Sequence, residues 1–302
     1  MSKEMEYTRC KNSYFAASNS FDGFVSYFDK CFSSRDHDKI FVIKGGPGTG
    51  KSTLMRRLSK MADNEGLEKE EIYCSSDMNS LDGVIIKTAN RSIAMLDGTA
   101  PHERDATVPG AVDIIVSLYD FFNIKGLEES KNEILSLIDK KNSAYQKAYD
   151  QLQISSVFHR KSKAEKLKHF DFEKAEDEVT LIVRAVYSEG TRKRSVRLIS
   201  AFSKDGYYTL DTLNQVCDRI YSIKADPVFS EAFVKILENK LMSTDADFYI
   251  IPSPLDKGIT EAIYFPQTQK STLNKQRSKY LTCYPGSPSG TTRDLLFPAQ
   301  NF

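Results

Sequence analysis

The feature that most constrains the fold of this 302-residue chain is one glycine-rich stretch near the amino end. An alternating, β-branched run over 39–44 precedes it, and apolar residues at helical spacing follow it over 54–61. Residues 45–52 match the pattern G-x-x-x-x-G-K-[ST] at all eight positions. With the residue that follows, the stretch consists of Gly45, Gly46, Pro47, Gly48, Thr49, Gly50, Lys51, Ser52 and Thr53. A strand, a glycine loop and a helix in this order are the context of a phosphate-binding loop. The sequence therefore predicts an α/β fold with a P-loop NTPase core built on a parallel sheet.

Each residue type in this stretch suits the binding of a nucleoside triphosphate. Glycines let backbone N–H groups turn inward around an anion, and the start of a helix adds unpaired donors and partial positive charge. Lys51 is expected to reach the β- and γ-phosphates, and the Ser52 hydroxyl is expected to bind Mg²⁺. The Asn-Lys pairs at 239–240 and 274–275 lack the aspartate of the guanine-binding N-K-x-D motif, which favours adenine. We therefore predict that residues 45–53 bind ATP together with Mg²⁺.

An acidic residue for magnesium is expected at the end of a nearby apolar strand. The run from Ile93 to Leu96 is followed by Asp97, which we predict to share the magnesium ion with Ser52. His102 or Glu103, a few residues later, could orient an attacking water. For His102, a buried, hydrogen-bonded structural histidine is an equal alternative. Lys51, Asp97 and His102 are accordingly the candidate catalytic residues.

The sequence leaves three kinds of activity open. The first is binding of Mg-ATP with slow hydrolysis that switches the relation between two halves of the chain. The second is phosphotransfer to a small-molecule acceptor, because Asp77 and Asp82 follow a predicted strand end where small-molecule kinases hold the acceptor hydroxyl. Both acids could instead form turns and helix caps. The third is a non-catalytic ATP sensor that acts on a protein partner.

The chain also contains an internal echo of the segment around the glycine-rich stretch. A shift of 180 residues places 218–224 on 38–44 with four identities in seven positions, and two further echoes (200–207 with 16–24, and 254–259 with 80–84) keep the same order. In this alignment Glu231 replaces Lys51 and Ala232 replaces Ser52, so a negative charge stands where phosphate would bind. Asp256 echoes Asp82. We predict that the second copy does not bind nucleotide; chance similarity between two α/β segments is the alternative.

These patterns divide the chain into four expected regions. A nucleotide-binding domain over 1–126 precedes a helical segment over 127–190, a shortened, degenerate copy over 191–275 and an irregular tail over 276–302. Gly126 and Gly190 are expected to bound the helical segment, whose apolar residues from Ile134 to Ile154 recur at steps of three and four. Its basic run, 159–169, is expected to be a solvated face, with a patch for an acidic partner as the alternative.

Charge and cysteine content argue against several classes of protein. The chain has 42 basic and 41 acidic residues, and its net charge of +1 argues against nucleic acid as a partner. No apolar run approaches the roughly 20 residues that a membrane-spanning helix needs, so we expect no membrane partner. Five cysteines without C-x-x-C spacing and four histidines without metal-ligand spacing indicate reduced thiols in a cytoplasmic protein without a permanent metal.

Several segments, taken in order, resemble a family of tandem ATP-binding proteins from Firmicutes bacteria: 15–18, 44–55, 74–77, 80–86 and 96–102. The resemblance extends over about residues 7 to 275. It implies two P-loop halves joined by a helical segment, ATP binding in the first half and a soluble bacterial protein. This chain departs from the family pattern where 225–233 do not keep the phosphate loop and 270–275 contain no acid for a second magnesium-binding strand. That departure argues against an activity that needs two working sites.

Overall fold

The computed structural model describes residues 11–187, 189–217, 219–266, 279–282 and 291–296. Within them the chain is α/β, with two six-stranded sheets joined by a helical segment. We call residues 11–122 the first half and residues 189–296 the second half. The first half contains β1 (Ser13–Phe15), β2 (Ala17–Ser20), β3 (Gly23–Ser26), α1 (Phe28–Cys31), β4 (Lys39–Lys44), α2 (Lys51–Asn64), β5 (Glu68–Tyr73), β6 (Leu81–Lys87), β7 (Ser92–Asp97) and β8 (Asp113–Ser117).

The first sheet is mixed, although the sequence led us to expect a parallel one. Its strand order is β1-β5-β6-β7-β4-β8, and β6 alone runs against the other five. The reason lies in the connections on either side of β6, which span only 74–80 and 88–91. A parallel crossover needs a dozen or more residues, so these short links force β6 to reverse. As a result, β6 begins at the edge of the sheet where β4, β5 and β7 end.

The second half repeats this topology strand for strand. It contains β9 (Arg194–Val196), β10 (Ser200–Ser203), β11 (Gly206–Thr209), α6 (Thr212–Val216), β12 (Arg219–Lys224), α7 (Pro227–Met242), β13 (Phe248–Pro252), β14 (Thr260–Phe265), β15 (Lys279–Thr282) and β16 (Thr291–Leu296). The strand order is β9-β13-β14-β15-β12-β16, with β14 reversed. The hairpin of β10 and β11 matches that of β2 and β3. This repetition agrees with the echoes in the sequence.

Equivalent residues of the two halves meet at a local twofold axis. Phe15 and Leu198 hold the same position relative to β5 and β13, and each donates its backbone N–H to the carbonyl of the other, at 2.8 and 3.0 Å. Around this pair the hydrogen bond from Cys31 Sγ to Val196 O is mirrored by one from Thr212 Oγ1 to Ser13 O. The halves therefore pack as two related copies, and Leu198 is buried with apolar side chains of the first half.

One buried ion pair next to this axis breaks the symmetry between the halves. Arg197 lies 2.9 Å from Glu70, and each side chain is 4% exposed. The register of β1 and β9 gives Arg197 the position that Tyr14 has in the first half, and Tyr249 has the position of Glu70. The neighbouring charges of Arg197 and Lys87 outweigh burial and lower the pKa of Glu70 far below its usual range.

The helical segment lies across both halves and consists of α3 (Ile124–Glu129), α4 (Lys131–Leu167) and α5 (Phe172–Val186). Gly126 lies inside α3, not at its end as predicted, and Asn123 caps the helix by accepting the Gly126 N–H. The apolar stripe of α4 is mostly exposed, including Leu135, Leu137, Ile138 and Ile154. By contrast α5 packs against α7 through Val179, Ile182 and Val186. Periodicity thus predicts the helices correctly but does not predict which of them is buried.

Two expectations about the carboxyl end differ from the structure. The tail over 276–302, expected to be irregular, supplies β15 and β16, and both pair with β12. The second half therefore has six strands and is not shortened at 275. Prolines and glycines over 285–290 suggested a loop-like tail, and these residues lie outside the described ranges. The stretch 270–275 lies outside the described residues. No helix in the described ranges is long and apolar enough to cross a bilayer.

Candidate functional site

The glycine-rich stretch connects β4, in the interior of the first sheet, to α2. Its loop, 45–50, takes a left-handed backbone at Gly48 (φ 77°) and Gly50 (φ 86°), a conformation that glycine adopts without strain. Gly50 is the N-cap of α2, and no side chain caps that helix. The hydroxyl of Thr49 donates to the Gly46 carbonyl at 2.8 Å and closes the turn. A strand, a glycine turn and a helix therefore follow each other as the sequence predicted.

Lys51 places a positive charge inside this loop. Its ammonium donates to the carbonyl oxygens of Gly45 and Gly46 at 2.6 and 2.9 Å, and it lies 3.4 Å from Asp97 Oδ2. The residue is only 9% exposed. Because a buried lysine needs compensating partners, the two carbonyls and the carboxylate together keep the ammonium at the end of β4.

Asp97 is the last residue of β7 and lies beside Ile43 of β4 in the parallel register. Its Oδ1 accepts from the backbone N–H and the hydroxyl of Thr99, at 2.9 and 2.5 Å. These bonds fix the carboxylate so that Oδ2 is the oxygen nearest to Lys51. The predicted acidic residue is thus adjacent to the predicted phosphate-binding lysine.

The reversed strand β6 begins at the same edge, where it contacts Ser52 and contributes Asp82. Ser52, the second residue of α2, accepts the N–H of Leu81 at 2.8 Å. The next residue, Asp82, is 6% exposed. Since Gly83 pairs with Leu96, Asp82 lies across from Asp97 one step further along the two strands. Sequence reasoning placed Asp82 near a kinase acceptor site but missed this proximity, because the direction of β6 depends on connection length.

His102 connects the two aspartates. Its Nδ1 is 3.0 Å from the Asp97 carbonyl, its Nε2 is 3.4 Å from Asp82 Oδ2, and its ring stacks on Phe28 with centroids 4.3 Å apart. Burial alone would lower the pKa of His102, but the hydrogen bond to Asp82 and the charges of Asp82 and Asp97 outweigh burial and raise it. His102 is therefore a buried, hydrogen-bonded histidine that also lies beside the other candidate site residues. A structural role and a role in the site, the two alternatives from the sequence, are compatible.

Other candidate residues lie apart from this group. Asp77 accepts the Asn79 N–H at 3.1 Å in the turn before β6. This bond fits the alternative in which Asp77 forms a turn. Glu103 is exposed. The nearby Arg104 is buried in an ion pair with Asp113 at 3.3 Å. Only Lys51, Ser52, Asp82, Asp97 and His102 come together around the glycine loop among the residues that the sequence singled out and the structure describes.

At the equivalent place in the second half, β12 joins α7 through only two residues, 225 and 226. Asp226 is the N-cap of α7 and accepts the Val228 N–H at 2.9 Å, and Pro227 begins the helix. The buried positions Lys51, Met55 and Ala62 of α2 match Ser230, Val234 and Leu241 of α7. Ser230, not Glu231, is therefore the structural counterpart of Lys51. The sequence alignment of the two helices is wrong by one residue.

The acids of this second connection are paired with the helical segment. Lys163 of α4 lies 3.0 Å from Glu231, and Lys166 lies 2.6 Å from Asp226. The basic run of α4 is therefore not only a solvated face, since it neutralises the acids next to the start of α7. The acidic groups that these lysines contact thus belong to the same chain.

The alignment of the echoes also changes at β14. Because Tyr73 pairs with Leu81 and Pro252 pairs with Thr260, the counterpart of Asp82 is Glu261. Asp256, which the sequence echo aligned with Asp82, is instead the counterpart of Asp77, and each acid bonds the N–H two residues later in its turn. The sequence alignment failed there because the turns before the two strands tolerate different residues.

No protein-family model, curated protein or solved structure matched the chain in the comparisons that we made.

Proposed function

We propose that the chain binds Mg-ATP through residues 45–53 and hydrolyses it slowly, and that the nucleotide alters the relation between the halves. The observation that carries this proposal is the position of the Lys51 ammonium, held between the glycine-loop carbonyls and Asp97. A phosphate group that entered the loop would offer oxygens to Lys51 and to the uncapped start of α2. This combination of loop, lysine and strand-end acid is what P-loop proteins use.

Magnesium would be held by Ser52 and Asp97. The Ser52 hydroxyl accepts one hydrogen bond from Leu81 and keeps a lone pair for a metal ion, and the Asp97 carboxylate is fixed by Thr99. When bound, the ion would neutralise charge on the phosphates. The chain itself would orient the triphosphate through the loop and withdraw charge from the γ-phosphate through Lys51.

Coupling between the halves would pass through α4. The Tyr145 hydroxyl donates to Ser76 at 3.2 Å in the loop that leads to Asp82, and Tyr149 donates to Asn19 at 2.8 Å. Further along the same helix, Lys163 and Lys166 contact the second half. A helix of 37 residues is about 55 Å long, so one rigid element reaches both ends.

The test is a titration of purified protein with ATP, ADP and GTP in magnesium, followed by phosphate release. We expect ATP to bind more tightly than GTP. Lys51→Ala should weaken ATP binding about 100-fold, because a charge-assisted contact in a partly buried site contributes roughly 3 kcal/mol. Lys60→Ala is the matched control, since Lys60 is an exposed lysine of the same helix. Equal ATP affinity in the two variants would refute the proposal.

Phosphotransfer to a small molecule is the second candidate, favoured by the position of Asp82 beside Asp97 and His102. Asp82, more than Asp77, would then accept the proton of an acceptor hydroxyl. ADP release that rises with one of a panel of hydroxylated metabolites, and that Asp82→Asn removes, would support it. If turnover equals that of buffer alone while ATP binds, the chain is a nucleotide sensor instead.

A further inference from the structure

We propose that Asp82, Asp97 and His102 form a site for a divalent transition-metal ion such as Mn²⁺, bound directly by all three side chains. The three ligand atoms come from the start of β6, the end of β7 and the following loop, and they lie within 4.8 Å of one another. Two carboxylates and one imidazole suit Mn²⁺ and its neighbours better than Mg²⁺, which prefers oxygen ligands alone. The inference rests on the proposed function only for the ion's role, since the ligands can be tested with metal alone.

The orientation of His102 is the main evidence. A backbone carbonyl can only accept, so the contact with Asp97 O at 3.0 Å requires the proton on Nδ1. In neutral His102 the lone pair of Nε2 then faces Asp82 Oδ2, another acceptor, at 3.4 Å. Two acceptors held this close need a cation between them, either a proton or a metal ion. Adjacent ligands of an octahedral ion, with bonds of about 2.1 Å, are separated by roughly 3 Å, so the two atoms would approach each other by about 0.4 Å to share Mn²⁺.

The surrounding groups hold the ligands in place. A metal-binding histidine usually donates its second N–H to a carbonyl or carboxylate, as His102 does to the Asp97 carbonyl. Phe28 stacks on the imidazole with an interplanar angle of 8°. The Asp97 carboxylate is oriented by the N–H and hydroxyl of Thr99, which bind Oδ1 and leave Oδ2 on the Lys51 side. The imidazole and the Asp97 carboxylate are therefore oriented before an ion binds, and the three ligand atoms, which lie within 4.8 Å of one another, would move closer together around it.

Lys51 competes with the ion for Asp97. Its ammonium lies 3.4 Å from Asp97 Oδ2 and would repel a nearby divalent cation. In the free protein this repulsion weakens metal binding. Phosphate oxygens would attract Lys51 and relieve the repulsion, so nucleotide and metal would each strengthen the binding of the other. Removing the lysine should tighten metal binding without nucleotide, which is the opposite of its effect on ATP.

The second half offers a contrast. Glu261 has the position of Asp82, and its carboxylate accepts from Ser200 at 3.4 Å; no histidine contacts it among the described residues. Glu238 and Thr260 bond each other nearby. In the absence of nucleotide we expect one metal site per chain, in the first half.

The experiment is a titration of the nucleotide-free, full-length protein with MnCl₂, followed by electron paramagnetic resonance. We expect one bound Mn²⁺ per chain, a nitrogen coupling from the imidazole in the pulsed spectrum, and displacement only by at least a tenfold excess of Mg²⁺. His102→Gln should abolish the nitrogen coupling, and His102→Gln and Asp82→Asn should each weaken Mn²⁺ binding about 10- to 100-fold. His169→Gln, at an exposed histidine, is the matched control.

The wild-type spectrum keeps the proposal testable even if a variant fails to fold. Bound Mn²⁺ without nitrogen coupling, coupling that survives His102→Gln, or no bound Mn²⁺ would each overturn it. Lys51→Ala separates the two proposals, because it should tighten Mn²⁺ binding several-fold while it weakens ATP binding about 100-fold. Mn²⁺ binding without any ATP binding would refute the proposed function and leave the metal site intact. ATP binding without any Mn²⁺ binding would refute the metal site and leave the proposed function intact.

Discussion

The first and second halves share one topology but differ at the link between the central strand and its helix. In the first half, six residues of which four are glycines connect β4 to α2. In the second half, Ala225 and Asp226 connect β12 to α7, and the helix begins at a proline. The strand order is the same around both links. The comparison shows that one topology can carry links of different length and charge, so any binding site at this edge depends on the residues of the link and not on the strand order.

The charges at the two links are also opposite. The first half holds Lys51 at the strand end, compensated by Asp97. The second half presents Asp226 and Glu231, which take their partners from α4. The first half thus keeps a positive charge that could attract an anion. In the second half, lysines of α4 neutralise the negative charges that stand in its place.

The largest stability effect is expected at the buried pair that breaks the symmetry of the halves. Arg197→Met would leave Glu70 buried with Lys87 as its remaining ion-pair partner, at 2.7 Å. We expect the free energy of unfolding to fall by about 3–5 kcal/mol. Denaturant unfolding would measure it, with Arg57→Met, at an exposed arginine, as the control. The double variant Arg197→Met/Glu70→Leu should recover at least half of the loss; no recovery would mean that charge pairing is not the cause.

The next largest stability effect is expected at Glu261, the counterpart of Asp82 in the second half. Burial is the largest cause that raises the pKa of Glu261 to about 7, from an ordinary value of 4.5. The folded state therefore binds the proton more tightly than the unfolded state, and stability is lost as pH rises from about 4.5 to 7. Glu261→Gln should then stabilise the protein at pH 8 by about 3 kcal/mol and leave it unchanged at pH 4.

Thermal or denaturant unfolding at both pH values would check this expectation. Glu176→Gln, at an exposed glutamate, should have no effect at either pH. A stabilisation by Glu261→Gln that is equal at both pH values would contradict the assignment of the effect to ionisation.

The smallest effect is expected where α4 contacts the second half. A double-mutant cycle on Lys163 and Glu231, whose side chains are 26% and 16% exposed, should give a coupling of about 1 kcal/mol. The more exposed pair of Lys166 and Asp226 should give less, and both couplings should shrink in high salt. Equal, salt-independent couplings would mean that these lysines do not act by neutralising the acids.

Much of the first half could be predicted from the sequence because local patterns determine it. The bounds of β4, the presence of a helix after the glycine loop and Asp97 at the end of β7 agree with the expectations from alternation, helical spacing and the glycine-rich pattern. The direction of β6 could not be read from its residues, since it depends on the lengths of its connections. The contact of Asp82 with His102 follows from that direction and was missed for the same reason.

The carboxyl end was harder to predict for a different physical reason. Prolines and glycines predict turns but do not show whether strands lie on either side of them. Strands β15 and β16 are defined by pairing with β12, a partner more than 50 residues earlier in the chain. Such long-range pairing leaves little trace in a short stretch of sequence. The mostly exposed apolar stripe of α4 shows the same limit, because amphipathicity does not identify what covers a helix.

The most direct test of the difference between the halves is the number of ATP molecules bound per chain, measured by equilibrium dialysis with Mg²⁺. We predict one ATP per chain in the wild type, none in Lys51→Ala at the same concentrations, and one in Glu231→Ala. Two bound ATP molecules per chain, or one that remains after Lys51→Ala and disappears after Glu231→Ala, would contradict the account.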